Sequence, residues 1–116
     1  METNSIKKLM AYNIRMLRAM RGYTQQDIAT RLHKTTNAIS NWELGNTSPP
    51  VDDLVELCKM FQVTPSQIVG WDECPELIDY ITQAEHATQK LEELKKQRDE
   101  LEEQIKSITE LINRKK

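Results

Sequence analysis

Apolar residues recur every three or four positions along most of this chain, which is the spacing of helices that bury one face. This spacing predicts a first helix over residues 5–20 and a fourth over residues 51–61. Thr64 and Pro65 indicate a short fifth helix over residues 64–69, with proline at its first position. The first helix is expected to turn one set of residues inward: Ile6, Leu9, Met10, Asn13, Ile14 and Leu17.

Residues 24–43 predict two short helices joined by a tight turn. Thr24 and Asp27 resemble a capping box in which Asp replaces the usual Glu or Gln, and Thr35 is a suitable N-cap for the second helix. Gly45 stands where a helix C-terminus commonly takes a left-handed residue. The inward positions of the two helices are Ile28, Ala29, Leu32, Ala38, Ile39 and Trp42. The outward positions of the second helix carry short hydrogen-bonding side chains that can reach base edges or phosphates: Thr36, Asn37, Ser40 and Asn41.

From Pro75 onward the chain has no glycine and no further proline, and its apolar residues keep an a/d heptad spacing. The predicted seam consists of Leu77, Tyr80, Ala84, Ala87, Leu91, Leu94, Arg98, Leu101, Ile105, Ile108 and Ile112. A helix of about 40 residues spans ~60 Å and has no core of its own, so it needs a partner, most simply a second copy. The alternatives are a helix folded back on the N-terminal part and a charged, disordered tail, which would not need periodic Ile and Leu. We expect a domain at residues 1–72 and an oligomerisation helix at residues 73–116.

The heptad pattern leaves the orientation of the predicted coiled coil open. Arg98 occupies an a position, where a polar residue costs stability but restricts register and oligomeric state. A parallel pair places Lys90 opposite the partner's Lys95, whereas an antiparallel pair with Arg98 near the partner's Leu101 brings Lys95 near Glu102. If residues 24–43 bind DNA, the need to hold two such segments together favours the parallel arrangement, against the charges.

The net charge of −2 is unevenly distributed. Residues 1–48 carry seven basic and three acidic side chains, a net of +4, whereas residues 49–72 and 73–116 each carry a net of −3. Positive charge therefore coincides with the two short helices, where a polyanion would be attracted. The alternative is that these are ordinary solvated surface charges.

Several classes of function are excluded by what the sequence lacks. No apolar run is long enough to span a membrane, and the N-terminus has no signal-peptide segment. Cys58 and Cys74 have no metal-ligand spacing, and Cys58 is expected to be a buried, reduced thiol. No glycine-rich phosphate loop and no nucleophile with a nearby base are evident, so we expect no enzyme activity, no cofactor and no metal.

Residues from about 14 to 70, roughly half of the chain, resemble the Cro/repressor-type (XRE) helix-turn-helix family. The resemblance rests on markers in the expected order: Thr24-Gln25, Ala29, Ile39, Trp42-Glu43, Gly45, Pro49-Pro50 and the segment Val63 to Gly70. It implies a five-helix, lambda-repressor-like DNA-binding domain, followed here by the long coiled-coil helix. His33 is a departure, because this turn position usually holds glycine in the family. Histidine is one of the few other residues that adopts positive φ fairly often.

The resemblance also implies roles for individual residues. Gln25 is expected to hydrogen-bond a phosphate, and Arg18 and Glu43 are expected to form an ion pair between the first helix and the recognition helix. The complete set of expected DNA-binding residues is Gln25, Gln26, Lys34, Thr35, Thr36, Asn37, Ser40, Asn41, Asn46 and Thr47.

The sequence thus predicts a cytoplasmic, sequence-specific transcriptional regulator, a repressor of bacterial, prophage or mobile-element origin. Its expected partners are double-stranded DNA, a second copy of itself and an antirepressor or other protein that competes for the coil. The alternative is an antitoxin-like or adaptor protein whose coil captures a protein partner.

Overall fold

The computed structural model describes residues 3–114, with side chains described from Ser5 to Arg114. This part of the chain is helical and contains no strand, which confirms the predicted all-α class. The helices are α1 (Thr3–Arg21), α2 (Gln25–Leu32), α3 (Thr36–Leu44), α4 (Val51–Phe61), α5 (Pro65–Ile68) and α6 (Pro75–Arg114). The predicted bounds of the fourth helix are confirmed, and the first helix is longer than predicted.

The core forms where α1, α4 and α5 meet and where α3 packs against α1 and α2. The largest fully buried side chains are Ile14, Leu17, Ile28, Ile39, Leu57, Phe61 and Ile68. The core is mostly aliphatic, and burying each such side chain contributes about 1.5–3 kcal/mol. Asn13, predicted on the inner side of α1, is buried and donates from its Nδ2 to the carbonyl of Ile68 at 3.0 Å.

Two inward positions predicted for α1 are wrong. Ile6 and Leu9 are 40% and 41% exposed, whereas Ala11, which was not predicted, is buried. The helical period was identified correctly, but from Ser5 onward the first buried side chain of α1 is Met10.

Several turns between the helices contain a residue with positive φ. His33 closes α2 at φ 56° and ψ 43°, the left-handed conformation that its position in the turn predicted. Gly70 has φ +84°, and a side chain there would overlap Leu9, so both backbone conformation and close packing require glycine. Gly45 closes α3 at φ 79°, as predicted for a helix end.

The chain divides into two compact units, with the division between Tyr80 and Ile81. The start of α6 thus belongs to the N-terminal unit, where Cys74 and Leu77 are buried. Arg21 also reaches this segment, with its Nη1 2.8 Å from Oε2 of Glu76. The predicted boundary at residues 72/73 follows the change in composition, whereas the N-terminal unit extends further into α6.

Both cysteines are free and buried, as predicted for Cys58. Burial raises the pKa of the Cys58 thiol, which keeps it protonated near neutral pH. None of the described helices is long and apolar enough to cross a membrane.

Candidate nucleic-acid interface

The candidate interface centres on the outward side of α3, which we call the α3 polar face and which consists of Thr36, Asn37, Ser40 and Asn41. Thr36 and Asn37 are exposed, and Ser40 and Asn41 are half-buried. The opposite side of the helix is fixed in the core by Ile39 and Trp42. Because helical neighbours three and four apart share a face, burial of Ile39 and Trp42 forces the four polar side chains outward together.

Thr35 caps the N-terminus of α3. Its backbone is extended, and its hydroxyl oxygen accepts a hydrogen bond from the backbone N–H of Ala38 at 3.1 Å. Other N–H groups of the first turn have no partner within the helix, and the helix dipole adds partial positive charge there. This end of α3 is therefore suited to lie near negatively charged phosphates.

The loop after α3 is tied to the helix and to α1. Asn46 donates from its Nδ2 to Oδ1 of Asn41 at 3.2 Å, and its backbone N–H donates to the carbonyl of Asn41 at 3.0 Å. The backbone N–H of Thr47 lies 3.4 Å from the same carbonyl. Lys7 donates from Nζ to the carbonyl of Asn46 at 3.1 Å. These contacts fix the position of the loop that was predicted to touch phosphate.

At the N-terminus of α2, Thr24 and Asp27 form the predicted capping box. The backbone N–H of Asp27 donates to Oγ1 of Thr24 at 3.0 Å, and the backbone N–H of Thr24 donates to Oδ2 of Asp27 at 2.8 Å. The backbone hydrogen bond from Thr24, followed by the Thr24 side chain, lowers the pKa of the Asp27 carboxyl. Gln26 donates from Nε2 to Oγ1 of Thr30 at 3.0 Å, along the exposed side of the same helix.

Arg18 of α1 and Glu43 of α3 form the ion pair that the resemblance implied. Nε of Arg18 lies 2.6 Å from Oε2 of Glu43, and Nη2 lies 3.0 Å from Oε1, so the contact is bidentate. Nη1 of Arg18 also donates to the carbonyl of Tyr23 at 3.0 Å. The Glu43 side chain is only 3% exposed. The pair therefore joins α1, the start of α2 and α3 beneath the α3 polar face.

Gln25 is attached to this ion pair. Its Nε2 donates to Oε1 of Glu43 at 3.3 Å, so the carboxamide is held at the first position of α2. Lys34, expected to contact DNA, instead has Nζ 3.3 Å from Oδ2 of Asp53 in this structure. A phosphate contact by Lys34 thus requires it to share or leave this carboxylate.

The comparisons with known proteins agree with this arrangement. Residues 14–68 match the family model described as helix-turn-helix. This segment belongs to the XRE-type helix-turn-helix family. The chain is also 35% identical over 52 residues to the HTH-type transcriptional regulator ImmR of Bacillus subtilis (strain 168). The alignment covers 45% of this chain and 41% of ImmR, so the chain spans less than half the length of that relative. No solved structure gives a significant match.

Within this XRE-type domain, α2 and α3 are the two helices of the motif and His33 lies in the turn between them. The resemblance identified the residue types of the motif, but it missed two residues that organise the interface. Lys7 holds the loop at Asn46, and Asp53 pairs with Lys34. Neither had a usable sequence signal, because each contact joins residues that are far apart along the chain and depends on how α1 and α4 pack.

The heptad positions of the predicted coil fall into two groups. Leu77 is buried in the N-terminal unit, so it is removed from the predicted seam, and Tyr80 lies half-buried in the same unit. Leu77 has the right heptad spacing, but it is buried within the N-terminal unit. The remaining positions are exposed in the single chain: Ala84, Ala87, Leu91, Leu94, Arg98, Leu101, Ile105, Ile108 and Ile112. We call this set the heptad seam.

Metal-binding residues do not cluster in the part of the chain that the structure describes. No group of three or more His, Cys, Asp or Glu side chains there could hold a metal ion.

Proposed function

We propose that this chain is a sequence-specific DNA-binding transcriptional regulator that uses the α3 polar face to recognise its operator. The observation that carries the proposal is the geometry of α3 in an XRE-type domain. Burial of Ile39 and Trp42 presents four hydrogen-bonding side chains on one face of a helix whose N-terminus is capped. A helix of this kind enters the major groove with its N-terminal residues against the base edges.

Asn37 and Asn41 are the residues we assign to base recognition. A carboxamide can make a bidentate contact to adenine N6 and N7. Asn37 is exposed on the first turn of α3, where base contacts are expected. Asn41 accepts a hydrogen bond from Asn46 on its Oδ1, so a bidentate contact to adenine uses the second lone pair of this oxygen together with the Nδ2 donor.

A second set of residues is assigned to phosphate contacts, which position the protein without selecting a sequence. These are Gln25, Gln26, Lys34, Thr35, Asn46 and Thr47. They lie at the helix N-termini and in the loop after α3, and they accompany the positive charge of residues 1–48.

Repression is the mode of regulation that we propose, because occupying promoter DNA requires only binding. The helix-turn-helix regulator family is non-enzymatic in general. A bacterial, prophage or mobile-element origin is consistent with the Bacillus relative.

We further propose that the heptad seam joins two copies of the chain. Six large aliphatic side chains of the seam are roughly half-exposed or more: Leu91, Leu94, Leu101, Ile105, Ile108 and Ile112. Covering them between two helices provides the association energy. Linking two DNA-binding domains makes the second DNA contact intramolecular and raises affinity.

The second candidate function is an adaptor or antitoxin-like protein whose seam binds a different protein. The same exposed seam supports it. A partner that covers the seam and releases DNA would favour this function, whereas binding to one DNA site by the isolated protein favours the regulator.

Selection of binding sites from random DNA with purified protein tests the proposed function. We expect one enriched sequence, and Asn37→Ala or Asn41→Ala should weaken binding to it by about 1–3 kcal/mol while leaving the melting temperature nearly unchanged. Gln26→Ala is a matched control for truncation of an exposed amide, and it should weaken selected and random DNA to the same extent. Failure to enrich any sequence contradicts sequence-specific binding.

A further inference from the structure

We infer that the heptad seam pairs with a second copy in the antiparallel orientation, in the register that places Arg98 opposite the partner's Leu101. This inference rests on the proposed homo-oligomerisation and adds the orientation and register. It follows from charge and size complementarity along the seam.

A parallel pair places each seam residue opposite its own copy. Two Arg98 guanidinium groups then meet in one layer, where both are partly removed from water. The flanking positions bring Lys90 against the partner's Lys95, a pair of like charges. Ala84 and Ala87 face their own copies, so the two layers nearest the DNA-binding domain have little to pack.

The antiparallel pair replaces these contacts with complementary ones. Arg98 faces the partner's Leu101, and its aliphatic stem can lie along that side chain while the guanidinium reaches water. The other layers each combine residues from opposite ends of the seam. They are Ala87 with the partner's Ile112, Leu91 with Ile108, and Leu94 with Ile105.

This pairing equalises the volume of the layers. Small side chains occur only at the N-terminal end of the seam, and Ile dominates its C-terminal end. Reversing one helix places the small residue Ala87 against a large one, which a parallel pair cannot do. Cores pack best when large and small residues alternate across facing positions.

Charges select one register among the antiparallel alternatives. The position that follows each d residue of the heptad is called e, and it borders the seam. Lys95 follows Leu94 and Glu102 follows Leu101, so both are e positions. In an antiparallel coil, e positions of one helix face e positions of the other. With Arg98 opposite Leu101, each Lys95 faces the partner's Glu102, and the contact occurs twice by symmetry. Sliding by one heptad in either direction places Lys95 against Lys95 or Glu102 against Glu102, which is repulsive.

The structure already orients Arg98 for this arrangement. Its Nη2 lies 3.1 Å from Oδ1 of Asp99, and its Nε lies 3.9 Å from Oε1 of Glu102. These carboxylates lie at the b and e positions beside Arg98, so they can hold its charge at the edge of the seam while its aliphatic stem packs against the partner's Leu101.

Disulfide trapping tests the orientation in the full chain. In a background with Cys58→Ala and Cys74→Ala, Ala87→Cys and Ile112→Cys are made as separate proteins and as a mixture, and oxidised under mild conditions. We expect no cross-linked dimer from either protein alone and a mixed disulfide between residues 87 and 112 in the mixture. If the background substitutions prevent folding, conservative Cys→Ser replacements or residue-selective cross-linking of Lys95 with Glu102 provide the same distance information.

The outcomes separate this inference from the proposed function. A dimer in which Ala87→Cys cross-links to itself shows a parallel coil and overturns the orientation alone. A dimer with no cross-link in any combination overturns the register. A full chain that sediments as a monomer overturns the proposed homo-oligomer together with this inference, while DNA selection still tests the regulator separately.

A charge exchange provides an independent readout. Lys95→Glu and Glu102→Lys should each raise the dissociation constant of the dimer severalfold, and the double variant should restore it, because the direct contact between residues 95 and 102 exists only between copies. Circular dichroism of each variant controls for loss of the contact between Arg98 and Glu102 within one helix. In a parallel coil, Lys95→Glu should instead lower the dissociation constant of the dimer, since the new carboxylate would face the partner's Lys90. Absence of restoration in the double variant contradicts the register.

Discussion

Arg18 and Glu43 show how single residues hold α3 in place. The carboxylate of Glu43 is almost fully enclosed and accepts hydrogen bonds from Arg18 and Gln25. Removing Arg18 leaves the buried carboxylate of Glu43 without its main partner. An exposed arginine on the same helix, Arg15, instead lies with its guanidinium 5.6 Å from the Tyr12 ring centroid.

Arg18→Ala should therefore lower the free energy of unfolding by about 3 kcal/mol, near the lower end of the range for a broken buried pair. Arg15→Ala should cost less than about 1 kcal/mol, as expected for an exposed cation over an aromatic ring. Thermal or urea denaturation of the two variants measures the difference. Equal stabilities would show that the ion pair contributes nothing beyond an ordinary surface charge.

Lys34 is proposed to contact a DNA phosphate, but in the structure it pairs with a carboxylate of the protein. Its Nζ faces the carboxylate of Asp53, which is largely buried with 14% of its side chain exposed. That carboxylate competes with any phosphate for the lysine.

Asp53→Asn should strengthen DNA binding, because it removes the competing negative charge while keeping a side chain of similar shape. The gain in affinity should be equal for operator and random DNA. A plot of the logarithm of the binding constant against the logarithm of the salt concentration should become steeper by at most about one unit, as for a single phosphate contact. Lys34→Ala is the control and should weaken both. Unchanged affinity in Asp53→Asn would remove Lys34 from the DNA-contacting set.

At the scale of the helices, capping determines where α2 and α3 begin. Thr24 and Thr35 were identified from the sequence because a cap and its partner are three residues apart, and such local contacts depend little on the rest of the fold. The capping box of α2 also carries a titratable group, since Asp27 accepts the Thr24 backbone N–H.

Asp27→Asn isolates the charge of this cap, because an amide oxygen can still accept the hydrogen bond. The pKa of Asp27 is lowered in the folded state, so its contribution to stability is present above the ordinary aspartate range and is lost as pH falls through the folded pKa. We expect the difference in melting temperature between wild type and variant to be largest near neutral pH and to shrink below about pH 4. A constant difference across this range would show that the charge does not contribute.

Elements whose pattern is local were predicted well, and contacts set by tertiary packing were not. Helix α4 and the left-handed His33 follow from periodicity and turn chemistry. The exposure of Ile6 and the pairing of Lys34 with Asp53 depend on how other helices are placed. The pattern of a single helix contains no information on that placement. The same holds for Leu77, whose heptad spacing fits a coil seam although the N-terminal unit buries it.

For the whole molecule, the division between the two units defines the fragment that tests whether DNA recognition is separable from association. A fragment ending at Asp72 would remove buried Cys74 and Leu77 and the contact between Arg21 and Glu76. Burial of Leu77 alone contributes about 1.5–3 kcal/mol. A fragment ending at Tyr80 keeps these contacts and omits the heptad seam.

The most direct test of the account is titration of this fragment and of the full chain with the selected operator and with random DNA at fixed salt. We predict that the fragment is monomeric and folded and still prefers the operator, because the α3 polar face is intact. We also predict that it binds at least tenfold more weakly than the full chain, because the second contact is no longer intramolecular. Equal operator affinity for the fragment and the full chain, or no preference of either for operator over random DNA, would contradict the account.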